Sequence, residues 1–235
     1  MVRIAQISDT HLGITKEKSI RKMLEELAKE EFDILLHCGD YCGGRKGYKT
    51  TNATVRLIRE IFVDTPYVTV LGNHDYWYQQ DNSRPSMEMF ERNLQKIREC
   101  FIDKRVYFLD VDGPFYFRDI ILVGHSGWYA HPNPLTNDIN FLPHGTKGNI
   151  NLELGETAMN ELQDNLDILR ENYNPTYETI CFVSHFPVIN TGPDYKGAFS
   201  RFCGSESIGR LMQDEFNCKY FFCGHAHQLH KGPLR

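Results

Sequence analysis

Short apolar runs of this sequence are followed by aspartate, histidine or asparagine, residue types whose oxygen and nitrogen atoms bind divalent metal ions. Five runs show this pattern, namely RIAQIS, DILLHC, YVTVLG, TICFVS and YFFC. The polar residues that follow them are, in order, Asp9 and His11, Asp40, Asn73 and His74, His185, and His225 and His227. Each motif alone is weak evidence, but together they indicate one metal-binding site built from five chain segments.

The spacing of these residues allows them to meet. Asp9 and His11 are two residues apart, as are His225 and His227, so in extended chain each pair points to one side. In open α/β sheets the ligand crevice lies at the carboxyl ends of the strands, where the segments after the five runs would converge. Glycines precede three of the segments, where tight turns must bring side chains inward: Gly39, Gly72 and Gly224.

The elements that would position these residues alternate along the chain. The five apolar runs predict buried strands of a mostly parallel sheet. Apolar residues at helical spacing predict amphipathic helices in the segments 17–30, 50–62, 85–100, 155–173 and 203–216. The alternation of strand and helix predicts a layered α/β fold.

The middle of the chain departs from this alternation. Residues 105–129 contain three β-like runs without intervening helices, which predict antiparallel pairing in a second sheet or a sheet extension. Residues 125–150 have little regular pattern, and loops of this length in compact domains are usually functional or disordered. No repeat or linker divides the sequence, which predicts a single domain over residues 1–235.

Composition excludes several classes of protein. The net charge of −5 argues against a protein that coats nucleic acid, although a local basic groove stays open. We expect no membrane association, because no apolar run approaches the roughly 20 residues of a membrane span. The N-terminus does not resemble a signal peptide, and the seven cysteines are scattered without a C-x-x-C motif. Reduced thiols and a cytoplasmic location are therefore expected.

The blocks DTHLG, GDYCGG, GNHD, SHFP and GHAH resemble the signature blocks of the calcineurin-like metallophosphoesterase superfamily. They extend from Asp9 to His227, nearly the whole chain. The resemblance implies a four-layer αββα sandwich, in which helices flank two mixed β-sheets and a dimetal site lies at the C-terminal ends of the strands. The chain stops eight residues after His227, where family members have closing strands, and the sequence leaves open whether it is truncated there.

The resemblance also implies a role for each candidate residue. One metal ion would be held by Asp9, His11, Asp40 and His227. The second would be held by Asp40, Asn73, His185 and His225, with Asp40 bridging the two ions. His74 would act as the general acid beside the ions. Mixed nitrogen and oxygen ligands suit Mn, Fe, Zn or Ni, and the sequence does not choose among these metals.

This ligand set suits phosphate chemistry. Two divalent ions, two carboxylates and a bridging hydroxide leave a net charge of about +1, which attracts a phosphate ester. Such a pair of ions can activate the bridging water for in-line attack on phosphorus. The expected function is hydrolysis of phosphate mono- or diesters, with a small or nucleotide-like substrate. The alternatives are a DNA-processing nuclease of the same superfamily, which the acidic charge does not favour, and a non-catalytic metal-binding scaffold.

Other features stay open at the level of sequence. Related protein phosphatases carry an aspartate three residues past the bridging one, to support the catalytic histidine. Here that position is Gly43, so the hydrogen-bond partner of His74 is unassigned. The candidate substrate-binding residues are His125, Trp128, Tyr129, Lys196 and Arg201. The alternative interpretations are that His125 lies behind the ligands or is an ordinary loop residue, and that Trp128 and Tyr129 only pin the loop to the body.

Overall fold

The structure is a computed structural model, and it describes residues 1–43, 47–76, 87–128, 150–174, 178–188, 204 and 206–225. Within these ranges the chain forms two four-stranded sheets. The strands are β1 (Ile4–Ile7), β2 (Ile34–Cys38), β3 (Tyr67–Val70), β4 (Tyr107–Phe108), β5 (Phe115–Phe117), β6 (Ile120–His125), β7 (Thr179–Ser184) and β8 (Tyr220–Phe222). The helices are α1 (Glu17–Leu27), α2 (Tyr48–Ile61), α3 (Asn73–Tyr76), α4 (Met87–Asp103), α5 (Leu109–Asp112), α6 (Ile150–Asn172) and α7 (Glu206–Phe216).

The two sheets differ in strand direction. The first has the order β1-β2-β3-β4, and all three of its pairings are parallel. The second has the order β5-β6-β7-β8, in which β5 pairs antiparallel with β6 and the other pairings are parallel. The described part of the chain therefore contains one parallel and one mixed sheet.

Alternation along the strands divides the core into layers. In β2, Ile34 and Leu36 point into a cluster between the sheets, where they meet Leu122 and Val183 of the second sheet. Leu35 lies between them in sequence and points to the other face, into a cluster shared with helices α1, α2 and α4. The outer face of the second sheet packs in the same way against α6 and α7. These layers confirm the predicted α/β fold of two sheets flanked by helices.

The five apolar runs are all strands, but they do not form one sheet. Three of them are β1, β2 and β3 of the first sheet, and two are β7 and β8 of the second. Strands buried on both faces have the same apolar composition in either sheet, so the sequence pattern could not separate them.

The middle segment connects the two sheets. Its first β-like run becomes β4, which extends the first sheet in parallel with β3, and the short helix α5 follows. The other two runs form the antiparallel pair β5–β6 that begins the second sheet. Asp112 of α5 accepts a hydrogen bond from Phe108 N at 2.8 Å, which stabilises the turn between the sheets.

No helix in the described ranges is long and apolar enough to cross a membrane. The single domain over residues 1–235 stays a prediction.

Candidate metal centre

The carboxyl ends of five strands meet around the carboxylate of Asp40. Its Oδ2 atom lies 3.6 Å from His11 Nε2 and 3.5 Å from His185 Nε2. The same oxygen lies 3.9 Å from His74 Nε2. Its other oxygen, Oδ1, accepts a hydrogen bond from the backbone N–H of His74 at 2.9 Å. Asp40 is therefore the central residue of the cluster, and three histidines from three turns surround it.

Asp9 forms one side of the cluster. Its Oδ1 lies 3.7 Å from His11 Nε2, and the hydroxyl of Ser8 donates a hydrogen bond to its Oδ2. Both carboxylate oxygens accept the backbone N–H of His225 at 3.1 Å. The turn after β8 in the second sheet is thus bound directly to the turn after β1 in the first.

Asn73 and two histidines form the opposite side. The Oδ1 atom of Asn73 lies 3.1 Å from His185 Nε2 and 3.2 Å from His225 Nδ1. The His185 and His225 rings meet edge to face with centroids 5.1 Å apart. His185 is oriented by its other nitrogen, Nδ1, which lies 2.7 Å from the carbonyl oxygen of Cys38. With Nδ1 donating to that carbonyl, Nε2 presents its lone pair to the cluster.

Two overlapping groups of side chains in this cluster could hold a metal ion. One contains His11, Asp40 and His74, and the other contains Asp9, Asp40 and His185. These groups differ from the predicted ligand sets, which place Asp9 with His11 and keep His74 off the ions. Asp40 belongs to both groups, and both it and His185 are almost completely buried. Of the eight residues predicted for the centre, the structure brings seven together. The eighth, His227, lies outside the described residues.

Four of these residues have left-handed backbone conformations. The φ angles are 52° at Asp9, 44° at His11, 58° at Asp40 and 64° at His225. Asp and His adopt this region more readily than most residues, but it is still uncommon, and such residues concentrate at functional sites. Asp9 and His11 are therefore not in the extended chain that their spacing predicts. Left-handed turns at the strand ends bring their side chains to one place instead.

The glycines before the ligands are required by close approach of two turns. A Cβ atom at Gly72 would lie 2.5 Å from Asp40 N, and one at Gly39 would lie 2.5 Å from Gly72 N. A Cβ at Gly43 would lie 2.5 Å from His11 O, so the glycine found where related phosphatases have an aspartate follows from local crowding. The turns after β2 and β3 pack backbone against backbone.

Asp75, whose role the sequence did not reveal, links these turns by hydrogen bonds. Its carboxylate accepts hydrogen bonds from Gly72 N at 2.9 Å, Cys42 N at 3.0 Å, Thr51 Oγ1 at 3.2 Å and Tyr41 N at 3.3 Å. Burial raises the pKa of Asp75 to about 6, although the donors act in the opposite direction. In the sequence, the indication available for this role was the position of Asp75 as the last residue of the GNHD block.

We expect Asp75→Asn to destabilise the protein by about 1–3 kcal/mol for each donor left without an acceptor. An amide has only one oxygen, so it cannot satisfy all four donors that the carboxylate satisfies. Urea denaturation of chelator-treated protein measures this without a contribution from bound metal. Asp103→Asn, at an exposed position, is the control and should change stability by less than about 0.5 kcal/mol. Equal stability of the two variants would contradict the structural role.

Two of the candidate substrate-binding residues lie within the described ranges, and both are buried. His125 Nε2 lies 2.7 Å from Glu161 Oε2, while His125 Nδ1 accepts the backbone N–H of Gly127 at 2.9 Å. Trp128 is 5% exposed and packs edge to face against Tyr76 and Phe186. Direct substrate contact by His125 and Trp128 stays a prediction, as it does for the residues outside the described ranges, Tyr129, Lys196 and Arg201.

The packing of Trp128 leads to a stability prediction. Trp128→Ala should lower the free energy of unfolding by about 3–5 kcal/mol, because it removes a large buried side chain and leaves a cavity. Tyr116→Ala, at an aromatic residue that is 44% exposed, is the control and should cost much less. Thermal unfolding measures both. A small loss in Trp128→Ala, combined with a raised KM for the substrate, would instead support direct contact with substrate.

The family model for calcineurin-like phosphoesterases matches residues 2–229, and the chain belongs to this family. This confirms the resemblance found in the sequence motifs. Among curated proteins, the DNA double-strand break repair protein Mre11 of Saccharolobus solfataricus is 32% identical over 111 residues, 41% of this chain. The match covers only 29% of the Mre11 chain.

Solved structures share the fold over most of the chain. Phosphopantetheinyl hydrolase from Mycobacterium tuberculosis matches with a TM-score of 0.65 and 16% identity, covering 98% of this chain and 86% of that one. The protein TT1561 of Thermus thermophilus matches with a TM-score of 0.60 and 14% identity, covering 95% and 81% of the two chains. At these identities the likeness shows a common fold alone.

Proposed function

We propose that this protein hydrolyses phosphate mono- or diesters with two divalent metal ions held at the carboxyl ends of its strands. The observation that carries the proposal is the position of Asp40, whose Oδ2 lies 3.5–3.9 Å from three imidazole Nε2 atoms. One ion would be held by Asp9, His11, Asp40 and His227. The other would be held by Asp40, Asn73, His185 and His225.

The spacing of the donor atoms supports this assignment. The distances between Asp40 Oδ2 and the imidazoles exceed the usual range of about 2.7–3.2 Å for hydrogen bonds. Two ligand atoms bound to one ion at about 2.1 Å are separated by roughly 3.0–3.4 Å, close to the distances observed. Nitrogen and oxygen donors in this mixture suit Mn, Fe, Zn or Ni.

The charges of the donors favour an anionic substrate. Asp9 and Asp40 are the only carboxylates of the proposed ligand set, so they would offset about half of the charge of two divalent ions. The remaining positive charge would attract a phosphate ester. When bound, the ions would polarise the phosphoryl group and lower the pKa of the attacking water.

Protein side chains would supply the remaining chemistry. His74 would donate a proton to the oxygen of the leaving group as the ester bond breaks. Its backbone N–H is bonded to Asp40 at 2.9 Å, and its ring packs edge to face against His11 with centroids 4.6 Å apart. The His74 imidazole would therefore be held beside the reacting phosphate by the same residues that hold the ions. Asp40 and His185 are buried, whereas the His74 side chain is 20% exposed.

The substrate class is proposed to be a small or nucleotide-like phosphate ester, and the location the cytoplasm, as expected from the scattered cysteines. A DNA-processing nuclease is the second candidate. It is favoured by the segment that is 32% identical to Mre11. The net charge of −5 favours the small substrate.

Activity assays on a panel of phosphate esters, with and without metal, test the proposal. Chelator-treated protein should be inactive towards mono- and diesters of p-nitrophenol, and Mn, Fe, Zn or Ni should restore turnover. Single-stranded and duplex DNA in the same panel distinguish the nuclease from the small-molecule enzyme. Retention of metal without turnover of any ester would support a binding scaffold, and turnover that is insensitive to chelator would contradict the metal centre.

A further inference from the structure

Ser126 lies in the turn that follows β6, at the same edge of the sheets as the metal centre. Its side chain is fully buried. Neither of its sequence neighbours, His125 and Gly127, belongs to the proposed ligand set. The contacts of Ser126 nevertheless reach two of the turns that carry ligands.

In these two contacts Ser126 accepts a hydrogen bond from a backbone N–H group, and its hydroxyl also interacts with the side chains of Asp110 and Tyr76. The Ser126 hydroxyl oxygen accepts from Leu71 N at 2.7 Å, and Leu71 begins the turn that leads to Asn73. The Ser126 carbonyl oxygen accepts from His185 N at 3.3 Å. One residue of the second sheet is therefore bonded to the turn after β3 in the first sheet and to the turn after β7 in its own.

The backbone of Ser126 is held in place by a further pair of hydrogen bonds. Its backbone N–H donates to both carboxylate oxygens of Asp110, at 3.0 and 3.1 Å. The Asp110 carboxylate lies 3.5 Å from His125 Nε2, which is 2.7 Å from Glu161. Helices α5 and α6 thus brace the turn that Ser126 occupies.

The cluster of Asp110, His125 and Glu161 behind Ser126 supports the turn and is not arranged to bind further metal ions. Gly127 N–H donates to His125 Nδ1 at 2.9 Å, so that nitrogen carries the lone pair. The proton of the neutral ring is then on Nε2, where it donates to Glu161. A metal ion would need the lone pair on Nε2, between the carboxylates, and it is not there.

We propose that Ser126 is a positioning residue of the metal centre, an inference that rests on the proposed function. The side chains of Asn73 and His185 meet at 3.1 Å, and Ser126 holds the backbone of His185 and of the turn before Asn73. Without the hydroxyl, Leu71 N–H would lose its acceptor and the turn after β3 would be free to shift. Displacements of ligands by about 0.5 Å are enough to weaken such sites.

Ser126→Ala should weaken the affinity for Mn²⁺ by about 10–100-fold, the usual effect of removing a group that orients metal ligands. The measurement is calorimetric titration of chelator-treated protein with Mn²⁺, which does not depend on activity. Ser126→Cys, which is slightly larger and accepts hydrogen bonds weakly, should give a smaller loss in the same direction. It is also the variant to measure if Ser126→Ala does not fold.

Ser184→Ala is the matched control. Ser184 is buried on the neighbouring strand, beside His125 in the register of β6 and β7, and its hydroxyl donates to Phe186 O at 2.7 Å. Both variants lose a buried hydroxyl and should lose stability in thermal unfolding of metal-free protein. The loss should be larger in Ser126→Ala, because the Ser126 hydroxyl also interacts with the side chains of Asp110 and Tyr76. Ser184 directly precedes the proposed ligand His185, which makes the control a strict one. Ser184→Ala should lose less affinity for Mn²⁺ than Ser126→Ala, and an equal loss would contradict a specific role of Ser126.

Two further results would overturn the inference, and they are distinguishable. Equal Mn²⁺ affinity in wild type and in the variants of Ser126 and Ser184 would show that Ser126 has only a structural role. Failure of the wild-type protein to bind Mn, Fe, Zn and Ni alike would remove the metal centre, and the positioning role with it. Affinity that falls in the order wild type, Ser126→Cys and Ser126→Ala would support the inference.

Discussion

Asp40→Ala is expected to abolish metal binding at both proposed sites and, with it, hydrolysis of phosphate esters. The Oδ2 atom of Asp40 is within 3.5–3.9 Å of the Nε2 atoms of three histidines, and Asp40 is shared by both groups of possible ligands found in the described residues. Loss of residues that merely orient ligands costs about 10–100-fold in affinity. Removal of the shared ligand should therefore cost more than about 100-fold at each site.

Asp9→Ala provides the control for this prediction. In the proposed ligand sets Asp9 belongs to one site alone, so its loss should weaken that site and leave most of the affinity of the other. Elemental analysis after dialysis against a fixed concentration of metal measures both variants. Full occupancy of two ions in Asp40→Ala, or equal losses in the two variants, would contradict the bridging role of Asp40.

His74→Ala is expected to retain metal and to lose activity according to the leaving group. General acids contribute about 10²–10⁴-fold to rate. An alkyl alcohol needs a proton as it leaves, whereas p-nitrophenol needs little help. The variant should therefore lose about 10²–10⁴-fold in kcat on alkyl esters and far less on p-nitrophenyl esters.

The comparison of alkyl and p-nitrophenyl esters is the control for His74, because both esters are assayed with the same variant protein. His74 Nε2 lies 3.9 Å from Asp40 Oδ2, so loss of a ligand is the competing explanation. Elemental analysis of His74→Ala separates the two roles. Equal losses on both esters together with lost metal would identify His74 as a ligand rather than an acid.

Much of this fold was predictable because its strands and helices have strong local patterns. The run DILLHC predicted β2, which is buried along its whole length, and the periodic segment 17–30 predicted α1 at Glu17–Leu27. Polar residues directly after apolar runs also predicted which side chains would converge. Carboxyl ends of parallel strands share one edge whether they belong to one sheet or to two that are stacked.

Other features depend on tertiary contacts that leave no local pattern. The assignment of β7 and β8 to a second sheet depends on packing between two apolar faces, and both sheets have similar composition. The role of Asp75 arises from donors on separate segments, including Cys42 and Thr51. Ser126 likewise acts on residues 55 and 59 positions away in the chain, Leu71 and His185.

Anomalous diffraction from crystals grown with Mn²⁺ tests the dimetal centre most directly. We predict two anomalous peaks on either side of the Asp40 carboxylate, one beside Asp9 and His11 and the other beside Asn73 and His185. No peak at this position, or a peak only at a different cluster of side chains, would contradict the proposed centre.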